Sequence, residues 1–271
     1  MASQREKIIA RDRNHLKQLI YETIQREGPN CDLNFIDVSE VDNMDGLFAG
    51  VNSSFNGDIS GWNVSQVEMM MHMFHGSRFN GDISNWDVSS VVSMEGMFQN
   101  SAFDGDISNW DVSNVLYMDG MFQNSVFNGD ISNWDVSHVQ SMSDMFRDAK
   151  FNGDISRWNV SSVLFMMGTF AFSQFNGDIS QWNVSGIWDM GELFAYSQFA
   201  GDVSGWEVSD DSCIGMFAGS LLEMKGLVPE WYKIIEEKQR LEKERLDLEE
   251  NSVNEDDFNS DDDEDVEDLP F

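Results

Sequence analysis

Apolar and polar positions recur along this chain with a period of 24 residues. The pattern is clearest in residues 79–98, FNGDISNWDVSSVVSMEGMF. Its tryptophan returns at the same spacing, as Trp62, Trp86, Trp110, Trp134, Trp158, Trp182 and Trp206. Self-similarity at a fixed period of about 20–50 residues is typical of repeat proteins, in which each unit packs only on its neighbours. We therefore predict an α/β solenoid over residues 31–224.

Each 24-residue turn is predicted to contain one short strand and one short helix. Polar and apolar residues alternate over residues 85–89, which predicts a strand with Trp86 and Val88 pointing inward. Met94 and Phe98 follow at helical spacing, which predicts a helix after the strand. The apolar spacing around the tryptophan approximates the L-x-x-L-x-L pattern, so the solenoid is predicted to be leucine-rich-repeat-like.

We call the residues that occupy the same position in successive repeats a column. The columns predicted to form the core are those of Phe79, Trp86, Val88, Met94 and Phe98. Between them, Asn80-Gly81 is predicted to turn the chain, with glycine supplying a positive φ.

One helix is predicted before the repeats and one after them, and each is expected to cap one end of the array. Residues 1–30 contain an amphipathic helix from about Asp12 to Glu27. Residues 225–250 contain a second helix, in which Ile234, Leu241 and Leu248 continue a seven-residue spacing that favours a coiled coil as an alternative. Residues 251–271 lack lysine and arginine and are predicted to be a disordered acidic tail.

Charge and cysteine content narrow the range of partners and compartments. The net charge of −33 argues against direct binding to nucleic acid or to an anionic membrane. No uninterrupted apolar stretch suggests a secretion signal or a membrane span, so we expect a cytoplasmic protein, or alternatively one that reaches a virion or cell surface by an unconventional route. Cys31 and Cys213 lie at opposite ends of the repeats and are predicted to be reduced thiols.

Two segments resemble known families. The repeat F-N-G-D-I-S-x-W-x-V-S-x-V-x-x-M-x-x-M-F, from roughly Asp32 to Leu222, closely resembles BspA-type leucine-rich-repeat proteins. That resemblance implies a repeat-built interaction protein, often one at a cell surface or in adhesion, without catalytic residues. The acidic run that ends in Leu269, Pro270 and Phe271 is similar to the tip of bacterial single-stranded-DNA-binding proteins. It implies docking on a partner protein with a basic surface.

A column of aspartates is the most prominent candidate for site chemistry: Asp58, Asp82, Asp106, Asp130, Asp154, Asp178 and Asp202. Stacked carboxylates repel one another, so each must gain a compensating interaction. We interpret the column as turn caps that accept backbone N–H groups, with a column of bound cations as the alternative. A second column interchanges Asn63 and Asp87, which predicts a polar strand position rather than a glycosylation site. His72 and His75 lack an obvious third metal ligand, and we predict no metal, cofactor or enzymatic activity.

Large apolar residues stand where the period does not require them, just after the predicted strand. They are Met69, Leu116, Tyr117, Leu164, Phe165 and Trp188. One interpretation is an exposed contact patch; the other is packing between neighbouring turns. We predict a non-enzymatic protein-binding repeat scaffold whose acidic C-terminus also docks on partners. The alternative is a surface or virion adhesin that recognises host protein or glycan.

Overall fold

The computed structural model describes residues 5–209 and 212–258. The chain divides into two compact units, with the boundary between Val228 and Pro229. The first unit holds β1 (Ile8–Ile9), α1 (Arg13–Glu27), β2 (Ile36–Asp37), a 3-10 turn (Gly50–Asn52) and α2 (Leu221–Met224). The second unit holds α3 (Glu230–Phe258).

The 24-residue repeats are built from turns, so the predicted strand and helix in each repeat are wrong. Residues 85–89 form no strand; the parallel bridge lies later, at Ser93, which pairs with Met69 on one side and Tyr117 on the other. The segment predicted as a helix is a succession of turns instead. The reason is a pair of left-handed residues, Gly96 at φ 57° and Asn100 at φ 56°, because a right-handed helix cannot continue through positive φ.

These two left-handed positions recur through the repeats. The first column holds Gly46, His72, Gly96, Gly120, Asp144, Gly168, Glu192 and Gly215, and the second holds Gly50, Gly76, Asn100, Asn124, Asp148, Phe172, Tyr196 and Gly219. Most members are glycine, asparagine or aspartate, the residues that tolerate this conformation best. The backbone N–H groups of residues 94, 96, 98 and 100 then donate to carbonyls of the next repeat at 2.8–2.9 Å. Successive repeats are thereby joined in register.

The core consists of stacked aromatic columns, as the sequence predicted. Phe79, Trp86, Val88, Met94 and Phe98 are all buried. Ring centroids of Phe98 and Phe103 are 4.2 Å apart, and those of Phe98 and Phe122 are 5.7 Å apart with nearly parallel planes. Each ring therefore contacts its counterpart in the next repeat, which is how repeats that are too small to fold alone share one core.

Tryptophan is required in its column because it has a donor as well as a large ring. In each of the seven repeats its Nε1–H donates to an earlier main-chain carbonyl at 3.1–3.3 Å, 29 residues back for Trp62 and 27 residues back for the other six. Trp134, for example, donates to Ile107 at 3.1 Å. A buried carbonyl without a donor is costly, and a phenylalanine ring could not supply one.

Gly81 recurs at the same position in every tryptophan-bearing repeat for a steric reason, and not for the positive φ that the sequence predicted. Gly81 and its equivalents are absent from the residues with positive φ. A Cβ atom at Gly81 would lie 2.7 Å from a ring carbon of Phe79, closer than real contacts allow. The glycine column thus makes room for the phenylalanine column.

A side-chain ladder joins the repeats on the polar side. Its members are Asn56, Asn80, Asp104, Asn128, Asn152 and Asn176. Each Oδ1 accepts the backbone N–H of the residue 24 positions later, at 2.7–2.9 Å. Asparagine and aspartate interchange here because the bond uses only the side-chain oxygen.

At the amino-terminal side, α1 lies against the first repeat. Asp12 caps it by accepting the N–H of His15 at 2.8 Å, and Gly28 ends it at φ 89°. Leu16, Ile20 and Ile24 are buried, while side chains on the next face donate to the carbonyls of Asp45 and Gly46. Strand β1 pairs with β2 in parallel.

Helix α3 runs eight residues past the predicted end at Glu250, into the segment predicted to be disordered. Glutamate, leucine, lysine and arginine dominate it, and residues 230–258 contain no glycine or proline to stop it. Ile234, Leu241 and Leu248 are exposed along it, and a coiled-coil role for them stays a prediction. Among the described residues, no helix is long and apolar enough to cross a membrane.

Candidate binding surface

The structure leaves three of the six predicted contact residues exposed. Trp188, Phe165 and Tyr117 are exposed, Trp188 by 68%. Met69, Leu116 and Leu164 are half-buried. Neither predicted interpretation therefore holds for all six: three side chains face solvent and three are partly covered by neighbouring repeats.

Two of the exposed residues are brought together. The rings of Phe165 and Trp188 meet edge to face, with centroids 5.9 Å apart. Tyr117 lies in the same bridged column as Phe165, but Ser141 stands between them. At about 4.8 Å for each parallel step, the two rings start roughly 10 Å apart along the repeats. Of the three exposed residues, Phe165 and Trp188 thus form a contacting pair, and Tyr117 stands apart from them.

The structure adds four exposed apolar residues that sequence reasoning missed: Met167, Phe172, Tyr196 and Ile214. The rings of Phe172 and Tyr196 stack with centroids 5.0 Å apart and planes 16° apart. We define the aromatic patch as two contacting pairs, Phe165 with Trp188 and Phe172 with Tyr196, together with the exposed Met167 and Ile214. All six lie within residues 165–214, so exposed apolar surface is concentrated in the later repeats.

Two members of the aromatic patch have an unfavourable backbone. Phe172 and Tyr196 have φ of 59° and 56°, in a column otherwise held by glycine, asparagine and aspartate. A bulky L-residue pays on the order of 1–2 kcal/mol for this conformation. Both rings also remain about half exposed. Burial therefore does not account for the aromatic residues at these two positions.

A single guanidinium lies beside the stacked rings. Arg147 is 4.9 Å above the centroid of Phe172, and it pairs with Asp144 at 3.3 Å and Glu192 at 3.7 Å. Burial raises the pKa of Asp144 above its usual value, and Arg147 opposes that rise. The arrangement keeps Arg147 fixed over the ring and leaves more carboxylates than cations around it.

A polar groove leads along the repeats to the same rings. We define it as Asn100, Gln123, Asn124, Arg147, Asp148 and Phe172, which line a cavity of about 460 Å³. Asn124 Nδ2 donates to Asn100 Oδ1 at 2.6 Å, and Gln99 donates to Gln123. Amides from neighbouring repeats are thereby held in a row beside the aromatic patch.

The aspartate column forms turn caps, as the first of its two interpretations predicted. Asp130 Oδ1 accepts the N–H of Ser132 at 2.9 Å, and the same bond recurs through the column. The second column makes the same turn: Asn63 accepts from Ser65, and Asp87 accepts from Ser89. It is therefore a turn position, which corrects the polar strand position predicted for it.

These caps give a testable acid dependence. The backbone N–H of Ser132 is the main cause that lowers the pKa of Asp130 below 3.8, and the other six members shift the same way. A lowered pKa in the folded state gives stability that is present above about pH 4 and lost as the pH falls through the folded-state pKa. We expect the midpoint of thermal unfolding to fall on acidification below about pH 4.

The matched variant is Asp130→Asn, because the amide oxygen can still cap the turn, as it does at Asn63. Thermal unfolding followed by circular dichroism should show a shallower acid decline for this variant and little change at pH 7. If the unfolding midpoint of Asp130→Asn fell with acid as steeply as that of the unchanged chain, the assignment of Asp130 as a stabilising turn cap would be wrong.

The two histidines predicted to lack a third ligand lie next to each other. The rings of His72 and His75 meet edge to face at 5.6 Å. No group of three or more His, Cys, Asp or Glu side chains that could hold a metal ion occurs within residues 5–209 and 212–258. Cys31 and Cys213 are both buried.

Comparison with known proteins identifies a family for the repeats. A family model described as "Mycoplasma protein of unknown function, DUF285" matches residues 16–128 and again residues 118–225. No curated protein and no solved structure matches the chain. The two matches follow one another along the repeat array, as expected when one model spans several repeats. This repeat protein belongs to the DUF285 family.

Proposed function

We propose that this chain is a non-enzymatic scaffold that binds a partner protein through the aromatic patch. The observation that carries the proposal is the pair Phe172 and Tyr196, exposed aromatic residues in left-handed conformations that favour glycine or asparagine. Strain of this kind persists where the surrounding fold imposes it and is concentrated at functional sites.

The chemistry of the aromatic patch suits a protein interface. Aromatic residues, methionine and arginine are enriched at such interfaces, and buried aromatic anchors supply most of their binding energy. Trp188 and Phe165 form such an anchor pair, with Met167 nearby in sequence. The backbone bonds between repeats keep these side chains on a rigid base, which lowers the entropy lost on binding.

The finer architecture belongs to the same proposal. We propose that the repeats form a solenoid of the BspA leucine-rich-repeat type, built from turns, with helical caps at both ends. The contacts of α1 with Asp45 and Gly46 support a cap at the amino-terminal side. A solenoid presents matched side chains along one axis, which suits an extended partner surface.

The first test is capture of a partner by paired variants. A Phe165→Ser, Trp188→Ser double variant should lose at least tenfold of any partner captured from cell lysate, because each truncated hot-spot residue costs about 1–2 kcal/mol or more. Tyr21→Ser is the matched control, since Tyr21 is an exposed aromatic residue on α1, outside the aromatic patch. Quantitative mass spectrometry of the captured fractions measures the loss. Equal capture by both variants would rule out the aromatic patch as the contact surface.

The alternative proposal is an adhesin that recognises host protein or glycan. The source of the captured partner distinguishes it from the scaffold. A cytoplasmic scaffold should capture its partner from lysate, whereas an adhesin should capture it from intact-cell surface fractions. Running both fractions with the same double variant and control assigns one of the two locations.

We also propose that the acidic segment containing Leu269, Pro270 and Phe271 is a second docking element; it lies outside the described residues. Acidic residues attract a basic surface over long range, and an aromatic side chain then anchors in an apolar pocket. Phe271→Ala should weaken capture of a basic partner by about tenfold while leaving the acidic run intact. Unchanged capture would reduce the segment to a charged extension.

A further inference from the structure

We propose that the partner segment bound here is an extended peptide rich in lysine or arginine, seated in the polar groove and against the rings of Phe172 and Tyr196. This inference rests on the proposed protein-binding function and names the chemistry of its partner. Three features of the groove support it: its amides, its aromatic faces and its charge.

The amides suit a peptide main chain. A primary amide has two N–H donors and one oxygen acceptor, so the bond between Asn124 and Asn100 leaves further donors and acceptors in both groups. Gln99 and Gln123 offer the same groups one position earlier in each repeat. An extended peptide exposes one N–H and one C=O per residue, and the amides can bond to both without reading side chains.

The length of the groove suits several residues of such a peptide. Asn100, Asn124, Asp148 and Phe172 occupy one column in four successive repeats. At about 4.8 Å per repeat they span roughly 14 Å, which an extended chain covers with about four residues at 3.3 Å each. The groove is therefore long enough to select a linear segment rather than one side chain.

The aromatic rings suit cationic side chains with long alkyl stems. Arg147 already shows the contact, with its guanidinium 4.9 Å from the centroid of Phe172. Tyr196 continues the stack beyond Phe172 and is more exposed. A lysine or arginine of the partner can lay its stem on this ring and direct its charge over the ring face.

Charge complementarity decides between a basic partner and other peptides. Asp144 and Glu192 pair with Arg147, and Asp148 lines the groove beside it, so three acidic residues accompany one arginine. The only lysine and arginine residues between positions 79 and 224 are Arg147, Lys150 and Arg157. With a net charge of −33 over the whole chain, the long-range field attracts cationic segments and repels anionic ones.

The test uses a fluorescein-labelled decapeptide that alternates lysine and serine, titrated with the full chain and followed by fluorescence anisotropy. A decapeptide that alternates glutamate and serine is the charge control, and an unlabelled neutral oligosaccharide, maltopentaose, is the competitor. We expect the lysine peptide to bind with a Kd in the range of about 10–100 micromolar at low salt and more weakly as salt rises. The glutamate peptide should not bind.

Two variants and one control locate the contact. Tyr196→Asn should weaken lysine-peptide binding by about 5- to 30-fold, the range expected for a lost cation–π contact. This variant should fold, because Asn100 and Asn124 already occupy the same column. Asp148→Asn should weaken binding by about threefold. Asp104→Asn removes an equal charge in a ladder whose neighbours Asn80 and Asn128 are already asparagine, and it should leave binding unchanged.

Any of three other results would overturn the inference. Equal weakening by Asp104→Asn and Asp148→Asn, with none by Tyr196→Asn, would show attraction to overall charge rather than a site. Competition by maltopentaose that is lost in Tyr196→Asn would assign the groove to glycan. Failure of the lysine peptide to bind, while the Phe165→Ser, Trp188→Ser variant still loses its captured partner, would overturn the basic-peptide inference and leave the scaffold function standing.

Discussion

A Trp134→Ala substitution is expected to lower the free energy of unfolding by about 3–5 kcal/mol. The side chain is buried, lies in the middle of the repeat array and approaches Phe122 with ring centroids 6.4 Å apart. Its removal leaves a cavity in the core. The stacked rings of the neighbouring repeats prevent that cavity from closing. The substitution also removes the donor to the carbonyl of Ile107, so transfer, cavity and hydrogen-bond costs act together.

A second substitution at the same site separates these costs. Trp134→Phe keeps much of the apolar volume but leaves the carbonyl of Ile107 without its donor, which should cost about 1–3 kcal/mol. Urea denaturation followed by circular dichroism measures both variants. Trp188→Ala is the matched control, because this exposed tryptophan should change stability by no more than about 0.5 kcal/mol. Equal effects at Trp134 and Trp188 would contradict a stacked tryptophan core.

A Gly129→Ala substitution is expected to cost about 1–3 kcal/mol, a large effect for one methyl group. Two ring carbons of Phe127 would lie 2.9 Å from the new Cβ, and that ring is buried between Phe103 and Phe151 in the same stack. The ring cannot move away without disturbing both neighbours. The strain therefore spreads through the phenylalanine column instead of being relieved locally.

The control for this variant is Gly205→Ala in the last tryptophan-bearing repeat. A Cβ there meets nothing within 4 Å, and Gly205 is not among the glycines with positive φ. Alanine should be neutral or stabilise the chain by about 0.4–1 kcal/mol, through the lower entropy of the unfolded state. Urea denaturation of the two variants compares them directly. Similar stabilities would mean that the glycine column does not serve the phenylalanine column.

The repeat period and the core could be predicted from sequence because burial imposes the same apolar residue type at the same position in every repeat. The columns of Trp86 and Phe98 are the clearest examples. The secondary structure could not, because Met94 and Phe98 have helical spacing by coincidence. The evidence against a helix was the recurrence of glycine, asparagine and aspartate at the positions of Gly96 and Asn100, which allow positive φ.

The candidate site was predictable only in part. Trp188 and Phe165 stood out because polar residues occupy their columns in other repeats. Phe172 and Tyr196 did not, because their significance depends on the left-handed backbone of their column, which only the structure shows. The usable signal was an aromatic residue in a column that otherwise holds glycine, asparagine or aspartate. Contacts such as that of Arg147 with Glu192 join residues two repeats apart, and the 24-residue pattern does not predict them.

The central claim is that Phe172 and Tyr196 serve a partner rather than the fold. It is tested most directly by measuring stability and capture on one double variant, Phe172→Asn, Tyr196→Asn. Asparagine suits the left-handed backbone, so relief of strain offsets the lost ring stacking of about 0.5–1.5 kcal/mol. We predict a thermal midpoint within about 2 °C of the unchanged chain and partner capture reduced at least tenfold. Unchanged capture, or a large fall in the midpoint, would contradict the claim.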